Sequence, residues 1–548
     1  MKYQELFAHT TDSQALSYLG RLHGLDLSPR TAPAKLQAAV IKRLSDTAYL
    51  EAYLARLPAE ERLGLEVAVF GSQSFLPTPD SVHRRLNELN NKNGRRGGKI
   101  IAALVNRGLV FAATDRHYRS VYLVPEEVRA AVFALTARRL AGDVPGLPAQ
   151  PGSGFDLLAL LNDLHLFLAW LGRTPMRLTQ AGLIYRRDQQ RLLANFNPPE
   201  ELPPTSGHAA YPPRLNFFLN FCEKHDLIAP TVTADGWPHL ALAPEAGEWM
   251  LQSLDHQLQE LFTYLKQYLE HPEGTLGMLL ALLSNVPEAK WLDLEALLAH
   301  LATCAADPWY HPGQEVTAAL GKLLSFRLVE VGAYAGKRYV RLTAGGRKFR
   351  LGILPPVEEE DTFLVQPNYE VLVPQELKPA LRWQLEPFTE LVKNDRMVVL
   401  RLSADSVYQA FKRGKDPGEL LPFLRRHSRT PLPENVAYSL EDWCGRCGAL
   451  YLEQPLLLTC RSEELADEVA ADPRLKRYLR GRFTPRHLLV DPDKYSELLA
   501  ALEKAGYWPH PGVAQEAELE VKAQARLRDQ LDALRDLMST LIKEAGRR

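Results

Sequence analysis

One pattern occurs three times along the 548 residues and constrains the fold more than any other feature. Residues 103–132 read as a helix that stops at Gly108, a strand entered at Leu109, a polar turn, a second strand reaching Leu123, and a further helix opened by Pro125-Glu126. The same order recurs at 219–250 and at 323–350. The two strand leucines lie 14 residues apart in the first copy (Leu109, Leu123), 15 in the second (Leu227, Leu242) and 14 in the third (Leu328, Leu342). Repeated spacing of this kind marks one supersecondary unit used three times.

Helices precede the copies as well. Before the first, Val82, Leu86 and Leu89 recur at helical spacing behind the capping start Pro79-Asp80-Ser81. Before the second, Leu178-Thr179 leads through a small turn into 186–193. A helix packed under a two-stranded hairpin, with two helices before it, is the plan of a winged helix-turn-helix. The expected fold is therefore multi-domain and mainly α, with tandem winged-helix units, followed by an α+β domain. Pro, Gly and acidic content mark 141–154 and 354–361 as linkers, while 197–213 reads as a long loop inside a domain. The expected domains are 1–142 (a helical hairpin plus the first winged helix), 154–255, 256–353, the α+β domain at 360–512, and a C-terminal amphipathic helix at 513–548. That last segment spaces Leu527, Leu531, Leu534, Met538 and Leu541 as a seam of barely two heptads.

Charge separates a DNA reader from a docking scaffold better than the fold does. The chain holds 65 Lys and Arg against 66 Asp and Glu, which excludes a uniformly basic coat for nucleic acid. Between 83 and 119, however, nine cations stand against Glu88 and Asp115. The candidate DNA contacts are Arg84, Arg85, Arg95, Arg96, Lys99, Arg116 and Arg119, with Arg186 and Arg187 in the second unit. The loop 90–99 supplies free backbone amides among its cations. A second contact is foreseen at 12–45, where two short helices around a Gly24–Arg30 turn resemble a SAP-type motif, which in many proteins binds DNA.

In the C-terminal third, the strings FLVQPNYEVLVP, LRLSADSVYQAFKRG, LLPFLRRHSRTPLPENV and DWCGRCGALYL follow one another at natural spacing. Over roughly 360–510 they resemble the N-terminal domain of XPB/Ssl-type DNA repair helicases, a domain that many bacterial helicase-associated proteins carry without a motor. One departure is Asn368, where the family favours an aspartate after Gln-Pro. The resemblance implies action on distorted DNA or with a separate ATPase or nuclease. No motor accompanies it here: Gly98-Lys99, Gly336-Lys337 and Gly414-Lys415 lack the flanks of a phosphate-binding loop, and Asp467-Glu468 falls in a plain helix.

Other chemistry is weakly signalled. Cys444 and Cys447 lie in a helix rather than after a buried strand, and with Cys460 they provide three thiols without a fourth ligand, so no redox or metal site and no cofactor is expected. No Gly-x-Ser-x-Gly elbow accompanies the scattered histidines, and no catalytic residue is nominated. Five cysteines, no secretory leader and no long apolar run fit a cytoplasmic protein away from membranes. The expectation is a non-catalytic DNA-binding or helicase-accessory protein engaging duplex or distorted DNA in repair or processing. The alternative is a scaffold whose winged helices dock proteins only.

Overall fold

The hairpins begin where a helix is forced to stop. In a computed structural model, the helices Arg96–Asn106, Pro213–Lys224 and Pro312–Ser325 each run into a residue in the left-handed region: Gly108 (φ 68°), Asp226 (φ 54°) and Arg327 (φ 55°). The next residue is always a buried leucine whose N–H reaches back five residues: Leu109 to Leu104 O (3.0 Å), Leu227 to Cys222 O (2.8 Å) and Leu328 to Leu323 O (3.0 Å). This closure satisfies an orphan helix carbonyl and turns the chain into the first strand. The hairpins follow in near-identical register, Phe111 opposite Leu123, Ile228 opposite Leu242 and Val329 opposite Leu342. Each is left through a helix, Glu126–Leu140, Glu245–Met250 or Ala344–Arg350.

The structure describes residues 1–8, 13–25, 31–90, 96–115, 117–202, 211–232, 236–269, 274–354, 356–452 and 454–510. The seam at 513–548 and residues 26–30 of the turn in the SAP-like hairpin lie outside them. The chain divides into two compact units, Met1–Cys447 and Gly448–Arg548, so the division falls within the segment 360–512. The molecule is a helix-rich, multi-domain α+β protein whose sheets are small and, among the described strands, antiparallel.

Within the first unit, the second and third copies share a full element order. The second runs Leu157–Arg173 (helix), Met176–Arg177 (strand), Arg186–Leu193 and Pro213–Lys224 (helices), then the hairpin Ile228–Val232 and Pro238–Leu242. The third runs Thr275–Ser284, Trp291–Asp293, Leu294–Cys304, Pro312–Ser325, then Val329–Tyr334 and Lys337–Leu342. In both, the early strand pairs with the second strand of the hairpin. The first copy has helices Ala59–Phe70 and Pro79–Leu89 before Arg96–Asn106; in place of the early strand, Pro77 O accepts the Tyr122 N–H (2.9 Å). One continuous apolar core joins the N-terminal helices and all three copies.

The Pro- and Gly-rich segment 141–154, expected as a linker, is instead a strap. Ala141–Gly142 forms a strand on Trp291–Leu292, Arg341 donates to the carbonyls of Ala149 (3.2 Å) and Gln150 (2.6 Å), and the Ala344 N–H donates to Gly152 O (3.0 Å). Its carbonyls satisfy the buried Arg341, which explains why so polar a stretch is fixed. The acidic segment 354–361 is tied in too: Glu359 accepts the Leu254 N–H at 2.6 Å.

After the strap-bound copies comes a four-stranded sheet in the order Leu364–Val365, Glu370–Pro374, Met397–Leu402, Thr389–Asn394, backed by helices Pro379–Leu385, Ala404–Lys412, Leu420–His427 and Glu434–Arg446 over a core of its own. The stretch 362–373, whose alternation predicts one strand, is a tight hairpin. Tyr369 takes φ 67° and the Gln366 N–H donates to Glu370 O (2.8 Å), folding the strand back at Gln366–Tyr369. Ser403 caps the helix Ala404–Lys412 as its sequence predicts, accepting from the Ser406 N–H at 3.0 Å.

The second unit, as far as residue 510, is a three-stranded sheet ordered Leu457–Thr459, His487–Val490, Leu479–Thr484, with helices Glu463–Ala471 and Tyr495–Lys504. Val469, Leu475, Leu488, Val490, Leu498 and Leu502 form its core.

Candidate nucleic-acid interface

Four cations of the first copy's basic stretch, Arg84, Arg85, Arg96 and Arg107, are answered from elsewhere in the fold. Arg85 donates to Thr303 O (2.9 Å) and Ala302 O (3.0 Å) and pairs with Glu88 (3.1 Å), while Arg84 donates to Ala306 O (3.3 Å). These carbonyls surround the C-terminus of Leu294–Cys304, where unpaired carbonyls and the helix dipole favour cations. Arg96 is clasped by Glu60, Arg107 by Glu61 (2.7 Å) and Arg119 by Asp115 (2.8 Å). Arg95 and Arg116 lie outside the described residues, as does the loop 91–95. What stays open is one face of Arg96–Asn106: Lys99, Ala102, Val105 and Asn106 are exposed, while Gly97, Ile100, Ile101 and Leu104 hold the helix down.

The second copy offers a patch whose centre the sequence reading missed. Arg186 and Arg187 are exposed at the start of their helix. Beside them the Arg177 guanidinium lies over the Trp237 ring (4.1 Å) and within 5.7 Å of the Tyr185 ring. Trp237 and Tyr185 keep 41% and 39% of their surface open, which is unusual for rings with so much apolar area to bury. The pairing of Arg177 with His239 across the sheet brings the early strand and the hairpin turn together. In contrast, the copy's third helix is covered: Phe217 packs on Tyr264 (5.6 Å) and Phe326 (5.4 Å) of neighbouring elements. In the third copy the hairpin cations are paired, Lys337 with Asp293 (3.2 Å), Arg338 with Glu295 (3.0 Å) and the buried Arg341 with Glu330 (2.8 Å).

A buried ionic network joins the second copy to the four-stranded sheet. Asp163, fully buried, accepts from Arg214 Nη1 (2.8 Å), the Asn197 N–H (3.0 Å) and Asn394 Nδ2 (2.7 Å). Alongside, the buried Arg382 pairs with Glu386 (2.7 Å) and donates to Asn162, and Arg173 donates to Glu386 O (3.1 Å). Burial pushes the Asp163 carboxyl up to about 7, against the pull of Arg214. His165, two residues along, is lowered to about 3 by burial and by Arg382, and bonds Gln257 through Nε2 (2.8 Å).

Burial pushes the Cys444 and Cys447 thiols up, the reverse of what a nucleophilic pair needs. Glu66, His300 and Cys304 bring three potential ligand atoms within 4.8 Å of one another, but Arg139 already binds two of these residues, Glu66 at 3.0 Å and His300 at 3.3 Å. No helix among the described residues is long and apolar enough to cross a membrane.

Residues 363–483 match a family described as a helicase conserved C-terminal domain, which supports a helicase-related protein. The match begins at the four-stranded sheet of the first unit and ends in the strand Leu479–Thr484 of the second. No curated protein matches the chain.

Proposed function

We propose that this helicase-related chain is a non-catalytic DNA-binding or helicase-accessory protein, built from three winged-helix units and an XPB-type module, that acts in DNA repair or processing beside a separate ATPase. The observation that carries the reading is the order helix, strand, helix, helix, hairpin in the second and third copies, with the early strand added to the hairpin, next to a segment similar to a helicase domain. The 548 residues contain no Gly-x-x-x-x-Gly-Lys-Ser/Thr sequence, which supports a role without ATP hydrolysis of its own.

DNA is met by the open face of Arg96–Asn106 through Lys99, by Arg95 and Arg96 at the adjoining loop, by Arg116 and Arg119 at the first hairpin, and by Arg186 and Arg187 beside the Trp237 and Tyr185 rings. A salt series with duplex and forked DNA tests this. Log K falls linearly with log salt, and replacing Arg95, Arg96 and Lys99 by Ala lowers the slope by roughly 0.9 for each phosphate no longer neutralised. Absence of binding to either DNA at low salt overturns the reading.

One observation favours the scaffold alternative. The third helix of the second copy is packed against neighbouring elements of its own chain and so is closed to a DNA groove. If the scaffold role holds throughout, the triple variant leaves all DNA affinities unchanged.

A further inference from the structure

The strand Leu479–Thr484 sits at an edge of the second unit's sheet, bonded only to His487–Val490 among the described strands. Its ladder is interrupted twice: the register skips Arg480, between Leu479 and Gly481, and skips Phe483, between Arg482 and Thr484. A β-bulge of this kind leaves one residue unpaired and re-aims its side chain. Both residues so released are open to solvent, Arg480 with 61% of its side chain exposed and Phe483 with 59% of its surface exposed. All four positions from 480 to 483 are exposed, an unusual run for a strand, which ordinarily hides every second residue.

Charge adds to the shape. From 474 to 486 there are six cations, Arg474, Lys476, Arg477, Arg480, Arg482 and Arg486, and no Asp or Glu. Asp472, Asp491 and Asp467 pair with Arg474 (2.6 Å), Arg480 (2.9 Å) and Arg482. Lys476, Arg477 and Arg486 have no carboxylate partner among the described residues. Exposed ion pairs are weak enough for a phosphate to displace the aspartate.

We infer that this edge strand is a second nucleic-acid site, distinct from the winged-helix surface, and that its ligand is single-stranded: Phe483 stacks on an unpaired base while Arg480, Arg482 and their neighbours follow the phosphates. The unpaired ring decides the class, because a base face is available for stacking in a single strand and hidden in a duplex. The inference stands apart from the winged-helix reading, since it concerns other residues and another form of nucleic acid.

The test is fluorescence anisotropy of the full chain with labelled oligo(dT) and with a matched duplex, over several salt concentrations. Phe483→Ala weakens oligo(dT) binding about tenfold, within the range expected for one stacked base, and leaves duplex binding unchanged. Phe483→Tyr restores it, which separates stacking from a folding defect. Arg480→Ala with Arg482→Ala flattens the oligo(dT) salt slope by roughly 0.7 for each phosphate no longer neutralised. Arg95→Ala, Arg96→Ala and Lys99→Ala together reduce duplex binding and spare oligo(dT), so failure of either site is visible without the other. The inference is overturned if Phe483→Ala binds oligo(dT) like the unaltered chain. It is equally overturned if poly-glutamate displaces oligo(dT) at equal charge concentration, which would make the strand an acidic-peptide site.

Discussion

Asp163 and His165 lie two residues apart on one buried helix and titrate in opposite senses. On folding, burial raises the aspartate from 3.8 to about 7, and burial beside Arg382 lowers the histidine from 6.5 to about 3. Between about pH 4 and 6.5 the folded chain therefore holds a proton at Asp163 that the unfolded chain has released. The unfolded chain holds one at His165 that the folded chain lacks. The first effect makes the fold more stable as pH falls, the second makes it less stable, and each is worth about 1.4 kcal/mol per pH unit. They cancel in the intact protein. Asp163→Asn exposes the histidine alone, so its stability drops relative to the parent on acidification through this window, while His165→Gln shows the opposite drift. Urea midpoints at three pH values read both, and parallel curves would refute the pairing. Asp163→Asn also takes one acceptor from Arg214, which keeps the carbonyls of Asn197 (3.2 Å) and Pro198 and the Glu200 carboxylate (3.8 Å). None of this is legible in the sequence, because both residues look like ordinary polar punctuation on an apolar helix until Arg214 and Arg382 are folded against them.

The three hairpin entries are one element solved with three different residues. Gly108 takes its left-handed conformation freely, whereas Arg327 does so at a cost of roughly 1–2 kcal/mol for an L side chain. Arg327→Gly is expected to stabilise the chain by up to about 1 kcal/mol, and Asp226→Gly by less, since Asp tolerates that region better. Gly108→Ala goes the other way by about 1 kcal/mol or more, because a Cβ there also meets Leu19 Cδ2 at 3.1 Å. Thermal melting of the three variants gives the order directly. This element is readable from sequence because its constraint is local: a helix stop, a buried leucine and a fixed return distance. The hairpin at Gln366–Tyr369 escapes the same reading. Pro367-Asn368 interrupts the apolar pattern of 362–373, but no glycine marks the turn that Tyr369 makes, and the stretch reads as one strand.

At the scale of the molecule, charge is the least transferable reading. A window from 83 to 119 counts nine cations, yet Glu60 and Glu61 reach in from before it and the carbonyls of 302–306 from some 200 residues after it. The Arg177, Tyr185 and Trp237 patch is hidden from sequence for the same reason, since its members come together only when the early strand pairs with the hairpin. Helicase relatedness is legible, because it rests on ordered motifs in one segment. The Asp163 network spans that segment and the second copy, which implies that the two unfold together. In Asp163→Asn, amide exchange should therefore accelerate in parallel across Leu157–Arg173 and Met397–Leu402. Acceleration confined to the helix would show the sheet to be independent.

The strap has a consequence for how the chain is made. Its carbonyl at Pro148 waits for the Trp291 indole, 143 residues later in the chain. At translation rates of about 5–20 residues per second, that is roughly 7–30 s during which the strand Ala141–Gly142 has emerged and its partner has not been synthesised. For that interval the strap's two strand residues have no ladder partner, since the other three strands of their sheet all belong to the third copy. The third copy supplies one on arrival, so the array is stitched backwards, from its last repeat to its first.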